Sequence, residues 1–333
     1  MDRTTAEKEW LRRISGGKSA VSQRKPTSDQ TSDQSSSKPR PKPQPTAKKH
    51  GNGFGDIAGM EDLKQRVKEG FINVLQHRDL ADAYGIRPPS MLFYGPAGCG
   101  KTFFAEKMAE EVGIHFIKVV PDDLASTMVH GTQEKIGEVF KNAERHAPAL
   151  LFFDEFDAMV PRRTGNEYNQ HYDSEVNEFL CMLNHASDKG VYVLAATNHP
   201  ECIDKAVLRT GRIAELVYVD MPDHEARKSL FALELAKLPR EEDIDMDRLA
   251  HLTQGFNCSD INYIVKSAAR KKFNEAIGCG EHTLQNITQK QLEEIISGRS
   301  PSVSSRDLRE YQRVHREFSP KDRDGQPASI GFR

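Results

Sequence analysis

Residues 149–153 read ALLFF and run directly into Asp154, Glu155 and Asp157. A continuous apolar run of this length suits a parallel strand covered on both faces, and carboxylates at its end emerge where open α/β sheets place their ligands. Four more short apolar runs obey the same rule: 91–94 (MLFY), 115–120 (HFIKVV), 191–196 (VYVLAA) and 215–219 (ELVYV). Helical stripes fall between them, as at Ala105, Met108, Ala109 and Val112 before Gly113, and again at Ile136, Val139, Phe140 and Ala143. The alternation predicts βαβ units and a mainly parallel sheet sandwiched by helices. After Met221-Pro222 the strand patterns stop, and 223–237, 245–253, 259–277 and 288–297 read as helices of a small all-α domain over 222–298. Thr288 and Gln291 have capping-box spacing on the last of these, with Gly298 as its stop.

Charge separates the chain into a tail and a body. Residues 1–50 hold 12 Lys+Arg against 5 Asp+Glu, whereas the remaining residues hold 35 against 44. Residues 16–53 are Ser, Gln, Pro and Lys with almost nothing to bury, which predicts a disordered basic tail over 1–53. A short helical pattern around Trp10 reads either as a docking peptide for an adaptor or as a frayed end. The five cysteines contain no C-x-x-C pair, which argues against a disulfide framework or a zinc site. Neither a membrane span nor a secretory leader is visible, so the expectation is a soluble, intracellular, cytoplasmic protein.

The segment Gly95, Pro96, Ala97, Gly98, Cys99, Gly100, Lys101, Thr102 fits G-x-x-x-x-G-K-[ST] and sits between the MLFY strand and a helix. Small residues let successive backbone N–H groups curl around phosphate oxygens, and the helix that follows, beginning near Phe103, turns its positive end toward them. In this P-loop NTPase reading Lys101 reaches the β- and γ-phosphates, and Thr102 offers its hydroxyl to Mg²⁺. The carboxylates after ALLFF then acquire a purpose. Asp154 holds the magnesium through water, and Glu155 orients and activates the attacking water. Asp157 reads either as a capping or structural residue or as a carboxylate merely solvated at the strand end.

Landmarks along residues 54–318 carry a resemblance: FGDIAGMEDLKQ (54–65), the phosphate loop, FFDEFDA, AATNHPECIDKAVLRTGRI (195–213), GFNCSDI (255–261) and SVSSRDLREYQRVHREF (302–318). In this order they resemble an AAA ATPase module of the type that includes katanin, spastin and the archaeal and eukaryotic unfoldases. The resemblance implies an α/β nucleotide-binding domain over 54–221, the helical domain as its lid, and a C-terminal segment over 299–333 with one helix near 304–318. It makes Asn198 the polar sensor for the lytic water, and Arg209 and Arg212 arginine fingers acting on a neighbouring subunit's nucleotide. It also sets Asp56, Ile57 and Ala58 beside adenine, and Cys258 and Ser259 at the foot of the lid. Fingers acting in trans imply a homo-oligomer, a hexamer by analogy. Cys99 stands where relatives more usually have Thr, a space-filling role or a target for thiol reagents.

Three departures from the family pattern stand out. Met128, Val129 and His130 replace the aromatic–aliphatic–Gly triplet of the central pore loop, and read either as a gripping loop or as an ordinary loop before the 132–146 helix. HYDSE (171–175) falls on a loop that carries paired basic residues in severing relatives. Leu183-Asn184-His185 stands for the M-D-G signature of inter-subunit signalling. HEARK (224–228) lacks the second histidine of a zinc protease motif. The expectation is an Mg-dependent ATPase that remodels, disassembles or unfolds an unidentified protein client. The alternative is a nucleotide-controlled binding scaffold with little threading. Nucleic-acid binding through the basic tail is disfavoured against a solvated linker.

Overall fold

A computed structural model describes residues 51–125, 131–162, 170–204, 206–207, 212–278 and 284–318. Expectations about residues 1–50 of the basic tail, the Met128–Val129–His130 loop and Arg209 therefore concern positions outside the described residues. The tail boundary at residue 53 needs correction: Asn52 bonds Asp56, and Gly53 is buried in the helical turn Gly53–Asp56, so the folded chain begins before Phe54. Five strands form one parallel sheet: β1 Met91–Tyr94, β2 His115–Val119, β3 Ala149–Phe153, β4 Val191–Thr197 and β5 Glu215–Tyr218. Their order across the sheet is β2-β3-β4-β1-β5. Strands β1, β3 and β4 are buried at every position, as their unbroken apolar runs require. Successive side chains still alternate between faces. Leu92, Leu151, Phe153, Val193 and Ala195 enter one core, while Met91, Phe93, Phe152, Leu194 and Ala196 enter the other.

Helices of seven or more residues flank the sheet and follow it. They are α1 Glu61–Val67, α2 Lys101–Val112, α3 Gly131–Arg145, α4 Gln170–Ala186, α5 His224–Leu235, α6 Met246–Leu252, α7 Cys258–Gly278, α8 Gln289–Ser297 and α9 Ser305–Phe318. Phe104 and Met108 of α2 fill the second core beside Phe71, while Phe140 of α3 and Phe179 of α4 fill the first. The α/β sheet flanked by helices is the fold the sequence predicts. Helices α5 to α8 enclose a separate core of Phe231, Leu235, Leu249, Ile261, Ile264, Val265 and Leu292. The last helix returns to the sheet. Its His315 stacks on Tyr218 of β5 with centroids 4.2 Å apart and bonds the Tyr94 hydroxyl of β1 at 2.9 Å.

Two local expectations need correction. Residues 171–175 lie in the opening turns of α4, not in a loop. At the start of α8, Thr288 accepts the Gln291 backbone N–H, but the Gln291 side chain is buried and donates to the Ala268 carbonyl instead of closing the box. Gly298 caps this helix at φ −82°, so no left-handed turn demands a glycine there. Among the described residues no helix is long and apolar enough to cross a membrane.

Candidate functional site

Three adjacent strands, β3, β4 and β1, end at one edge of the sheet, so whatever follows them is gathered there. After β1 the chain turns at Gly95, where a side chain is impossible: a Cβ would lie 2.3 Å from the Val219 carbonyl oxygen. Helix α2 then starts at Lys101, with Gly100 as its N-cap. The Lys101 side chain is 8% exposed, and its ammonium donates to the carbonyls of Gly95 and Pro96, both at 2.8 Å. Burial pulls its pKa down to about 8, against the upward pull of nearby carboxylates Asp154 and Asp157. A buried ammonium met by two backbone carbonyls suits a polyanion that restores its charge partner.

The next residue reaches across to β3. Thr102 Oγ1 donates to Asp154 Oδ2 at 3.0 Å. Asp154 in turn is held by its backbone N–H on the Val119 carbonyl of β2, at 3.0 Å. A hydroxyl and a carboxylate meeting in this way are hard oxygen donors of the kind Mg²⁺ takes, so the residues present fit that ion. Glu155 follows in the left-handed region, at φ 51° and ψ 46°. For a non-glycine residue that conformation costs about 1–2 kcal/mol. The kink starts the short helix Phe156–Met159 and leaves the Glu155 carboxylate exposed at the rim.

Asp157 serves the neighbouring strand. It accepts the Thr197 hydroxyl at the end of β4, and the same Thr197 oxygen accepts the His199 backbone N–H at 2.8 Å. The two bonds bracket Asn198, which lies one residue past β4 and is partly buried. Asp157 thus ties β4 to the turn after β3, the structural alternative of the sequence reading. Arg212 donates to the Ala206 carbonyl of its own chain at 2.8 Å, and the sheet edge takes no bond from it among the described residues.

A cavity of about 190 Å³ adjoins the loop. Asp56, Ile57 and Ala58 line it from one side, Gly98, Cys99, Gly100 and Phe103 from the loop, and Cys258 and Ser259 from α7. Asp56 turns its carboxylate to Lys107 of α2, at 2.9 Å, which with a bond from Asn52 holds its pKa below the usual value. Cys99 is fully buried, its sulfur 3.6 Å from that of Met221, and burial pushes its thiol up to about 12. Of the two readings offered for Cys99, burial supports space-filling over a reagent-sensitive thiol: the sulfur is shielded and its thiolate is suppressed.

Of the residues that join α7 to the loop, sequence reasoning named Ser259 and passed over Asn257. Asn257 Nδ2 donates to the Ala97 carbonyl at 3.1 Å, and the Ser259 N–H donates to the Gly98 carbonyl at the same distance. A Cβ at Gly98 would come within 2.5 Å of the Asn257 amide, so the glycine is needed for this approach. Behind them, buried Asp260 takes bonds from Asn257 N, Arg299 Nη2 and the Ser302 N–H and hydroxyl. The N-x-x-D spacing of a helix cap was the available signal. Lys118 was also missed. Its ammonium lies 2.8 Å from Asp154 Oδ2, and a lysine inside the HFIKVV run was the visible anomaly.

Comparison with known proteins bears on this edge of the sheet. A family model described as the ATPase family associated with various cellular activities (AAA) matches residues 91–221, from β1 through the end of β5. A cell division cycle protein 48 homolog from Archaeoglobus fulgidus is 33% identical over 273 residues, covering 79% of this chain and 37% of that protein. A putative cell division cycle ATPase from Plasmodium falciparum is 33% identical over 241 residues, covering 72% of this chain and 19% of that protein. The chain thus spans less than two fifths of the length of either relative. Through residues 91–221, the stretch that carries the phosphate loop and the strand-end carboxylates, it belongs to the AAA ATPase family.

Proposed function

We propose that the chain hydrolyses ATP in a ring of identical subunits and couples turnover to remodelling of a protein client. The observation that carries the hydrolytic part is the junction of Thr102 with Asp154 at 3.0 Å beside the buried Lys101 ammonium. Bound magnesium supplies neutralising charge to the β- and γ-phosphate oxygens. Thr102 and Asp154 would hold it. The loop N–H groups and Lys101 grip the polyphosphate, and the cavity walled by Ile57, Ala58, Cys258 and Ser259 takes the base. Glu155 accepts the proton of the attacking water, and Asn198 orients that water from the end of β4.

The ring and the client rest on weaker support. By the family resemblance, Arg209 and Arg212 stabilise phosphoryl charge on the nucleotide of an adjoining copy; within its own chain Arg212 bonds the Ala206 carbonyl. Such a residue is worth about 10³–10⁵ in rate where it has been measured. Remodelling comes by family analogy and from relatives named as cell division cycle proteins.

Replacing Glu155 with Gln tests the assignment. Phosphate release should fall by about 10²–10⁴ while a fluorescent ATP analogue still binds and light scattering still detects assembly. Turnover that survives the substitution unchanged refutes the role given to Glu155.

A further inference from the structure

Asp154 carries two positive or proton-donating partners on one oxygen. Thr102 Oγ1 lies 3.0 Å from Oδ2, and the Lys118 ammonium lies 2.8 Å from the same atom. The other oxygen, Oδ1, accepts the Glu155 N–H at 3.2 Å. Lys118 belongs to β2, the edge strand, and its pairing with β3 sets Lys118 opposite Phe152, two residues before Asp154. The side chain therefore runs along the strand toward the carboxyl end, where the ion pair forms. Its own side chain is 42% exposed and that of Asp154 only 21%, so the lysine covers the carboxylate from the solvent side. A lysine stem lying on an apolar strand with its head at the polar edge is the usual compromise for such a residue.

We propose that Lys118 is an internal counter-cation for Asp154 that competes with magnesium, and so sets how much Mg²⁺ the chain needs to bind nucleotide. The inference rests on the nucleotide reading given above and adds a residue outside the loop and sensor positions. Oδ2 already takes the ammonium and the Thr102 hydroxyl, so a metal-bound water that is to donate to the same oxygen, with the metal's charge behind it, would displace the ammonium. The exposure of Lys118 and its four-carbon stem make that motion inexpensive. In the absence of metal the lysine keeps Asp154 pinned toward Thr102, which leaves the site ordered before the ion arrives.

The experiment is a fluorescent-ATP anisotropy titration of the full chain, with magnesium varied at fixed nucleotide and a parallel arm in EDTA. Lys118→Met should lower the half-saturating Mg²⁺ by about three- to tenfold, the scale of a partly exposed ion pair. Lys118→Arg, which keeps the charge, should stay near the wild type. Affinity in EDTA should change by less than about twofold, because the ammonium serves the carboxylate and not the phosphates. An unchanged midpoint overturns the proposal. So does a fall in EDTA affinity at an unchanged midpoint, which would put the ammonium on the phosphates. A wild-type chain that binds no nucleotide in either arm overturns instead the nucleotide reading on which this one rests.

Discussion

The two ends of the candidate nucleotide site are built differently. The phosphate end draws on one rigid sheet: Lys101, Thr102, Asp154 and Asn198 all follow strands β1, β3 and β4, which are buried at every position. The opposite end is shared between segments far apart in the chain, with Ile57 and Ala58 on one side and Cys258 and Ser259 of α7 on the other. Charge is held at the ends of fully buried strands, and shape is formed where the 57–58 segment meets α7. A reaction that develops charge needs fixed groups, because reorganising them during the step would cost what they contribute. Contact with a flat apolar ring such as the proposed base tolerates adjustment, so that wall can be shared between segments far apart in the chain.

The comparison predicts that single substitutions at the two ends fail in different ways. At the phosphate end, Lys101→Met should weaken binding of a fluorescent ATP analogue by about a hundredfold, the scale of charge-assisted bonds to phosphate. Thermal stability should hold or rise, because burial already disfavours the charged ammonium, with its pKa near 8. A marked loss of melting temperature would show that Lys101 braces the loop instead.

At the helical end, the reverse is expected of Asp260→Asn. Burial pushes the Asp260 carboxyl up, but bonds from Ser302, Arg299 and Asn257 outweigh it and hold the pKa below 3.8. The substitution should cost about 1–3 kcal/mol of stability in denaturant unfolding near neutral pH. A carboxylate with a depressed folded pKa contributes above its unfolded value and loses that contribution as pH falls through the folded one. The gap between variant and wild type should therefore close below about pH 3.8. A gap that persists in acid would remove Asp260 as its source.

The smallest effect concerns the thiols. Cys181 and Cys202 are exposed, whereas Cys99 is buried and Cys258 is partly so, with its thiol pushed up to about 11 by burial. Iodoacetamide at neutral pH should label Cys181 and Cys202 before Cys99 and Cys258, read by peptide mass spectrometry. Rapid labelling of Cys99 would mean that the loop opens far more often than its contacts with α7 suggest.

The rigid end was the legible one. Apolar runs such as ALLFF and VYVLAA can hardly be anything but covered strands, and G-x-x-x-x-G-K-T announces its own backbone geometry. Helix α4 was harder. The sequence of its first half, QHYDSEVN, is mostly polar and reads as loop, whereas Phe179, Leu180, Leu183 and Ala186 of the second half are buried. Gln291 shows why local spacing misleads: the capping pattern was present, but the buried Ala268 carbonyl took the side chain. Lys118 and Asp260 owe their significance to partners 36 and more residues away, and single-chain periodicity carries no record of those meetings.

One arrangement changes how motion can travel through this molecule. The phosphate loop presents its N–H groups to a ligand, but two of its carbonyls, on Ala97 and Gly98, are bonded to Asn257 and Ser259, the former 160 residues away. A swivel of α7 would therefore twist the two peptide planes that carry those carbonyls. Were the loop to hold phosphates as proposed, tightening it would pull on the helices behind it.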